Sequence, residues 1–220
     1  VYMATNDRRL IALDARTGEP GDGFGSGGET VVVPLDQTHD PTDVQIDAAP
    51  AVVGDVVVVG SSVADGTWAH ASAGTVHAFD ARSGKLRWTF DPYPNADGQT
   101  GAANVWSSIS ADPARDLVFL PTSSPSPDFF GGERPGDNRW ANSLVALDGN
   151  SGALRWGQQL VHHDLWDYDL GSQPTLVELN HEGHRREVVI QAAKTGFLYT
   201  FDRDSGAPIF ALEERPVPQD

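Results

Sequence analysis

Apolar positions along this chain come in short runs broken every few residues by Gly, Pro, Asp or Ser. None keeps a 3.6-residue period beyond a turn or two, so strands are predicted throughout. One nine-residue phrase recurs four times: Leu10-Ile-Ala-Leu-Asp-Ala-Arg-Thr-Gly18, Val76-His-Ala-Phe-Asp-Ala-Arg-Ser-Gly84, Leu144-Val-Ala-Leu-Asp-Gly-Asn-Ser-Gly152 and Leu198-Tyr-Thr-Phe-Asp-Arg-Asp-Ser-Gly206. Each is an apolar strand, an Asp able to bond the backbone two residues on, and a Ser/Thr-Gly turn whose glycine supplies positive φ. Two copies continue into a second strand with a Trp four residues past the glycine, Leu86-Arg87-Trp88 and Leu154-Arg155-Trp156. Further short strands are predicted at Asp47–Val53, Val56–Ser61, Leu117–Pro121 and Glu187–Ala193. Repeated hairpins with a recurrent Trp predict an all-β chain, a β-propeller or a related β array; as a propeller, residues 1–220 would form one domain of consecutive four-stranded blades. Blades cannot bury their faces alone, so Trp88 and Trp156 are expected between neighbouring blades.

Composition narrows the function. The 220 residues hold 31 acidic and 15 basic side chains, a net charge of −16. Nucleic acid is not an expected partner, because phosphate neutralisation needs clustered Lys and Arg. With no cysteine, disulfides and thiolate metal sites are excluded. Val1–Thr5 has the pattern of a strand already under way and residues 214–220 that of a connection, so a fragment of a longer protein is expected.

Three stretches fall outside the repeat: Thr100–Ser107, Leu120–Gly132 running into Arg134–Asn138, and Val161–Leu170. Each lies in or beside a loop, where a rigid scaffold carries binding groups. The third packs Asp164, Asp167, Asp169, His162, His163 and Trp166 together, a pattern compatible with a metal site, an acid–base site or a polar turn. Adjacent histidines on a strand point to opposite faces and cannot chelate together, and the spacing lacks the helical zinc pattern. Carboxylates with hydroxyl or amide oxygens suit a hard cation such as calcium.

Asn104-Val-Trp-Ser107, Pro125-Ser-Pro-Asp-Phe129 followed by Arg134-Pro-Gly-Asp-Asn138, His162-His-Asp-Leu-Trp-Asp-Tyr-Asp-Leu170, Lys194-Thr-Gly-Phe-Leu-Tyr199 and Glu214-Arg-Pro-Val-Pro-Gln219 occur in this order. Together they resemble the signature blocks of quinoprotein dehydrogenases of the membrane-bound glucose and quinate branch. That resemblance implies an eight-bladed propeller of which about half is present, with pyrroloquinoline quinone (PQQ) and Ca2+ as cofactors. It implies oxidation of a sugar, polyol or cyclic hydroxy acid, ubiquinone as electron acceptor, and a periplasmic location with any membrane anchor upstream.

Matched position by position, the resemblance implies that Trp106 stacks on the quinone, whereas a packing role suits Trp88 and Trp156. Asp167 would be the catalytic base and a calcium ligand, with Asp164 and Asp169 as hydrogen-bonding scaffold. Asp65 matches an acidic calcium ligand, though it also suits a turn before Gly66. Relatives carry Asn or Thr where this chain has Ser124 and Ser126; Ser124 is the third candidate ligand and Ser126 a cofactor contact. Lys194 would bond the quinone oxygens and stabilise charge developing on them. The competing reading is a non-catalytic envelope propeller that binds protein partners.

Overall fold

The computed structural model describes residues 1–25, 30–34, 40–66, 70–94 and 101–215. Residue 100 of the first unusual stretch and residues 216–219 of the last signature block lie outside them.

The turn chemistry produces hairpins throughout. β1 (Tyr2–Ala4), β2 (Arg9–Ala12) and β3 (Thr30–Val32) form a first antiparallel sheet. Then follow β4 (Val44–Gln45), β5 (Ala51–Val53), β6 (Val56–Val59), β7 (Ser62–Val63), β8 (Val76–Asp80) and β9 (Leu86–Phe90). The second sheet has the order β5-β6-β8-β9, while β4 and β7 pair with each other. The third sheet is β10 (Ser110–Asp112), β11 (Leu117–Pro121), β12 (Ser143–Asp148) and β13 (Leu154–Gln159), the fourth β14 (Thr175–His181), β15 (His184–Ala192) and β16 (Leu198–Asp202). Among the described residues the helical content is one 3-10 turn, Pro41–Asp43.

Three predicted strands shift at their ends for local reasons. β5 starts only after Pro50, which has no N–H to give a ladder. β6 stops at Val59, because at Gly60 another segment crosses so closely that a Cβ would sit 2.1 Å from the Val105 carbonyl oxygen. β15 begins at His184, three residues early, because Glu182 (φ 52°) and Gly183 (φ 78°) make the tight positive-φ turn that suits a two-residue hairpin.

The four phrases close alike. The carboxylates of Asp14, Asp80, Asp148 and Asp202 each accept from the backbone N–H of the Ser or Thr three residues on, at 2.8–3.1 Å. Asp14 and Asp80 also reach the residue two on, as predicted from sequence. The turn glycines donate back to the same Asp carbonyls.

Continuous apolar runs such as Val56-Val57-Val58-Val59 make sense once both faces of a strand are covered. Val57 and Val59 join the core between the first and second sheets, Val56 and Val58 the core between the second and third. In β11, Val118 and Leu120 face the second sheet while Leu117 and Phe119 face the fourth. With period-2 side chains, a sheet sandwiched between two others becomes apolar at every position.

Trp88 and Trp156 make the joints. Each is 8% exposed. Trp88 Nε1 donates to the Gly149 carbonyl at 2.9 Å and its ring lies on Gly152; Trp156 Nε1 donates to the Arg203 carbonyl at 3.2 Å and its ring lies on Gly206. Each Trp thus sits on the next sheet's phrase turn. Gly152 and Gly206 carry two constraints there, positive φ (71° and 70°) and room for an indole. The first phrase lacks the Trp, and Tyr2 takes over: its hydroxyl donates to the equivalent Ala81 carbonyl at 2.5 Å, beside buried Phe24. A charge network reinforces the third–fourth joint. Asp112 binds Arg203 and Arg115, and Arg115 also binds Glu187 and Asp204. Although burial pushes the Asp112 carboxyl up, the bonds from Arg203 and Arg115 hold it below the usual range.

Two outcomes are expected. Trp156→Phe should cost about 1 kcal/mol for the lost N–H bond, and Trp156→Ala about 3–5 kcal/mol for the cavity, read as thermal midpoints of the intact protein. His77 is buried on β8 with its Nδ1 unpartnered, and burial pulls its pKa from 6.5 to about 4. The unfolded chain therefore takes up the proton first, so stability is complete above pH 6.5 and falls as the pH drops towards 4, by about 3 kcal/mol in all. His77→Phe should remove that share of the acid sensitivity; an unchanged pH profile of the midpoint would contradict it.

Candidate functional site

The segment before Trp106 is threaded between sheets. Ala102 donates to the Ser72 carbonyl and Gly74 to that of Ala102, while Ala103 donates to the Ser124 carbonyl and Ser123 to that of Asn104. Gly74 permits the crossing, since a Cβ there would meet the Ala102 oxygen at 2.3 Å. Ala102 and Ala103 take positive φ, 59° and 51°, an uncommon state for alanine that this ladder imposes. Trp106 emerges half-buried, with its ring resting against Gly171 and its Nε1 donating to Asp169 Oδ2 at 3.1 Å.

Asp169 is the hub. Its Oδ1 accepts from the Ser124 N–H at 2.7 Å, and its Oδ2 also accepts from Lys194 Nζ at 2.8 Å. Lys194 reaches Asp167 Oδ2 at 2.8 Å and stands 5.9 Å from the Trp106 ring centroid. Burial would lower the Lys194 pKa, but the bonds it donates to Asp167 and Asp169 more than offset it and hold it raised. Burial raises the Asp167 carboxyl, against the pull of Lys194. Asp167 has φ 58°, a left-handed conformation that Asp tolerates better than most residues.

Asp164 is framework. Fully buried, it accepts from Ser124 Oγ at 2.5 Å, Asn142 Nδ2 at 3.1 Å, and the N–H groups of Trp166 and Tyr168. The Ser124 hydroxyl is engaged there and accepts from Asn142 as well. Ser126 Oγ donates to the Asp65 carbonyl at 2.8 Å, which brings the Asp65 loop alongside. Burial first, then the charges of Asp169 and Asp167, push the Asp65 carboxyl to about 6. His163 turns to the Gly136 carbonyl and His162 to Glu214, so the two have separate partners.

Asp128 was not singled out from sequence. It is buried, its Oδ1 has no partner, and burial together with Asp65, Asp167 and Asp169 drives its carboxyl to about 7. Arg134, 1% exposed, holds its loop: it donates to the carbonyls of Pro127, Asp128 and Asp164 and to Asn138 Oδ1. One guanidinium so fastens the Asp128 loop to the Asp164–Asp169 loop. Neither role has a local sequence signal, since both depend on loops meeting across the fold.

The site gathers Trp106, Asp65, Asp128, Asp167, Asp169, Lys194 and the Ser124–Ser126 segment. It offers an indole surface, one lysine, and four carboxylates that the lysine cannot neutralise alone. The donor set fits a planar aromatic cofactor with a hard cation, because the indole of Trp106 offers a flat surface and burial with the neighbouring carboxylates outweighs the pull of Lys194 on both Asp65 and Asp128. Among the described residues, no three His, Asp or Glu side chains already stand in metal-binding geometry.

Arg134→Met should leave three carbonyls and the Asn138 amide oxygen short of a donor, at about 1–3 kcal/mol for each group that water cannot reach. Amide hydrogen exchange should speed up in both residues 127–138 and 163–169. Loosening of the first loop alone would contradict the shared clamp.

The chain is 38% identical to the glycerol dehydrogenase large subunit of Gluconobacter oxydans, over 99% of this chain and 31% of that protein. It is 35% identical to the quinoprotein glucose dehydrogenase of Escherichia coli, over 100% and 29%. The chain thus spans about a third of these relatives or less. Among solved structures, the quinohemoprotein alcohol dehydrogenase ADHIIG of Pseudomonas putida superimposes with a TM-score of 0.80 at 29% identity, over 98% of this chain and 33% of that one. BamB from Moraxella catarrhalis, at 21% identity and a TM-score of 0.56, shares the fold alone. Residues 1–220 match the family described as PQQ: Glucose/ethanol/alcohol dehydrogenase, beta-propeller domain, and the chain belongs to it.

Proposed function

We propose that this chain supplies the cofactor floor and the proton acceptor of a PQQ-dependent dehydrogenase that oxidises a sugar, polyol or cyclic hydroxy acid. The observation that carries the reading is the single hydrogen-bonded unit of Trp106, Asp169, Lys194 and Asp167. Trp106 would bear the quinone, Lys194 would meet its oxygens, and Asp65, Asp167 and the Ser124–Ser126 segment would hold Ca2+. When bound, the quinone takes up the electrons and hydrogen leaving the substrate carbon, and the cation polarises the quinone carbonyl.

The chain's own residues handle the proton. Asp167 accepts it from the substrate hydroxyl through its carboxylate. Lys194, bonded to Asp167 Oδ2, keeps that carboxylate charged and aimed. Asp169 fixes Lys194 and Trp106 relative to each other. A protein-binding scaffold shares this fold but gains nothing from burying acidic groups beside one lysine, an arrangement that costs stability. By the same reading, ubiquinone receives the electrons and the protein works in the periplasm.

The test is dye-linked oxidation of aldoses, glycerol and quinate by the full-length protein reconstituted with PQQ and Ca2+. Asp167→Asn should retain the quinone, followed by its absorbance, while kcat falls about 10²–10⁴-fold. Lys194→Ala should lower kcat as well. Full turnover by the Asp167→Asn protein would remove the base assignment, and no quinone-dependent activity in the unaltered protein would favour the scaffold.

A further inference from the structure

Two loops meet beside the site, and they are built alike. The first runs from Asp128, which is buried, to Phe129 and Phe130, which are 67% and 58% exposed. The second runs from Leu165 and Trp166, 39% and 70% exposed, to Asp167. Arg134 ties one to the other, and Gly131 packs against His163 and Leu165 so closely that a Cβ would meet them at 2.2 and 2.8 Å. Between them Phe129, Phe130, Pro135, His163 and Leu165 line a shallow apolar hollow. Each loop thus offers apolar side chains outward and a carboxylate inward.

The two carboxylates are not equivalent. Asp167 has Lys194 as a partner. Asp128 is 5% exposed, its Oδ1 has no donor, and its Oδ2 lies 3.7 Å from where a Cβ on Gly66 would stand, next to Asp65. A buried carboxylate oxygen without a donor is costly and is satisfied by whatever polar group enters the site. Asp128 feels the charge of Asp167, so a substrate with its reacting hydroxyl at Asp167 would turn neighbouring hydroxyls to Asp128 and its C–H face to the apolar rim.

We propose that Asp128 is a specificity-determining residue that accepts a hydrogen bond from a second hydroxyl of a polyhydroxylated substrate, selecting such substrates over monohydric alcohols. This rests on the dehydrogenase reading above and adds to it the group that distinguishes substrates. The chemistry is that of sugar and polyol recognition generally: charged acceptors for hydroxyls, and rings for the C–H surfaces between them. A site that hydrogen-bonds a substrate hydroxyl discriminates strongly against the analogue lacking it, because its own polar group is then left unpaired.

The experiment compares kcat/KM for glycerol, D-glucose and quinate with that for 1-propanol, in the full-length protein loaded with PQQ and Ca2+. Asp128→Ala should reduce the preference for the best polyhydroxylated substrate over 1-propanol by about tenfold or more, chiefly through KM. Asp128→Asn, which retains a carbonyl acceptor of the same shape, should keep more of the preference than Asp128→Ala. Terbium luminescence, titrated into quinone-free protein, separates this role from cation binding. Loss of terbium affinity with an unchanged substrate ratio would make Asp128 a cation ligand and overturn the proposal, as would an equal loss on both kinds of substrate. An active parent whose ratio is insensitive to both variants overturns this assignment alone; a parent inactive on every substrate overturns it together with the dehydrogenase reading.

Discussion

The contact between an indole on one sheet and the glycine turn of the next is the constraint on which the rest of this structure depends. A small β-sheet with two apolar faces is not stable in water by itself, and each face here needs a neighbour at fixed distance and register. Trp88 and Trp156 supply both, because the ring fills the gap while Nε1 picks out one carbonyl of the following turn. The turn must leave room for an indole, and it must bend with positive φ; glycine meets both demands at Gly152 and Gly206. The pairing of Trp with Ser-Gly is therefore a contact between consecutive sheets, written at two places in the chain. At the first joint the same carbonyl position, Ala81, is met by the Tyr2 hydroxyl, so the hydrogen bond survives where the indole does not.

Fixed sheets make fixed loops, and the site is assembled wholly from loops. Trp106 leaves a segment wedged between residues 72–74 and 123–126, Asp65 follows β7, Asp128 follows β11, and Asp167 and Asp169 lie between β13 and β14. Apart from Asp167 and Asp169, which are two residues apart, no pair of these positions is brought together by local geometry. Their meeting depends on the rotation of each sheet relative to the last, which the Trp joints and the Asp112–Arg203–Arg115 network fix. Arg134 then makes the loops one body by taking carbonyls from both.

How much of this could be read from the residues follows from the range of each interaction. The hairpins were legible because Asp-x-x-Ser-Gly folds within five residues, and the burial of Trp88 and Trp156 because repeats require neighbours. Strand ends were less so: β6 ends at Gly60 because residue 105 crosses there, a fact absent from the local pattern. Trp106, Asp167 and Lys194 were noticed through resemblance, and the structure brings them together. Asp128 lies inside a signature block, but nothing in its local pattern sets it apart; its burial and its acidic neighbours do. Tyr2 gave no signal, since its partner lies 79 positions away.

The carboxylates of the site form a series in how fully the protein satisfies them, and that series separates framework from working groups. Asp164 accepts four hydrogen bonds from fixed donors and has nothing left to offer a ligand. Asp169 accepts three, among them Trp106 and Lys194, and so orients other groups. Asp167 shares one oxygen with Lys194, which leaves lone pairs free for a proton or a cation. Asp128 keeps an oxygen that no protein donor meets. A folded chain leaves buried acceptors unmet only at a cost in stability, about 1–3 kcal/mol for each such group. On the function proposed above a ligand would offset that cost, and the least satisfied carboxylates would be the ones that meet it.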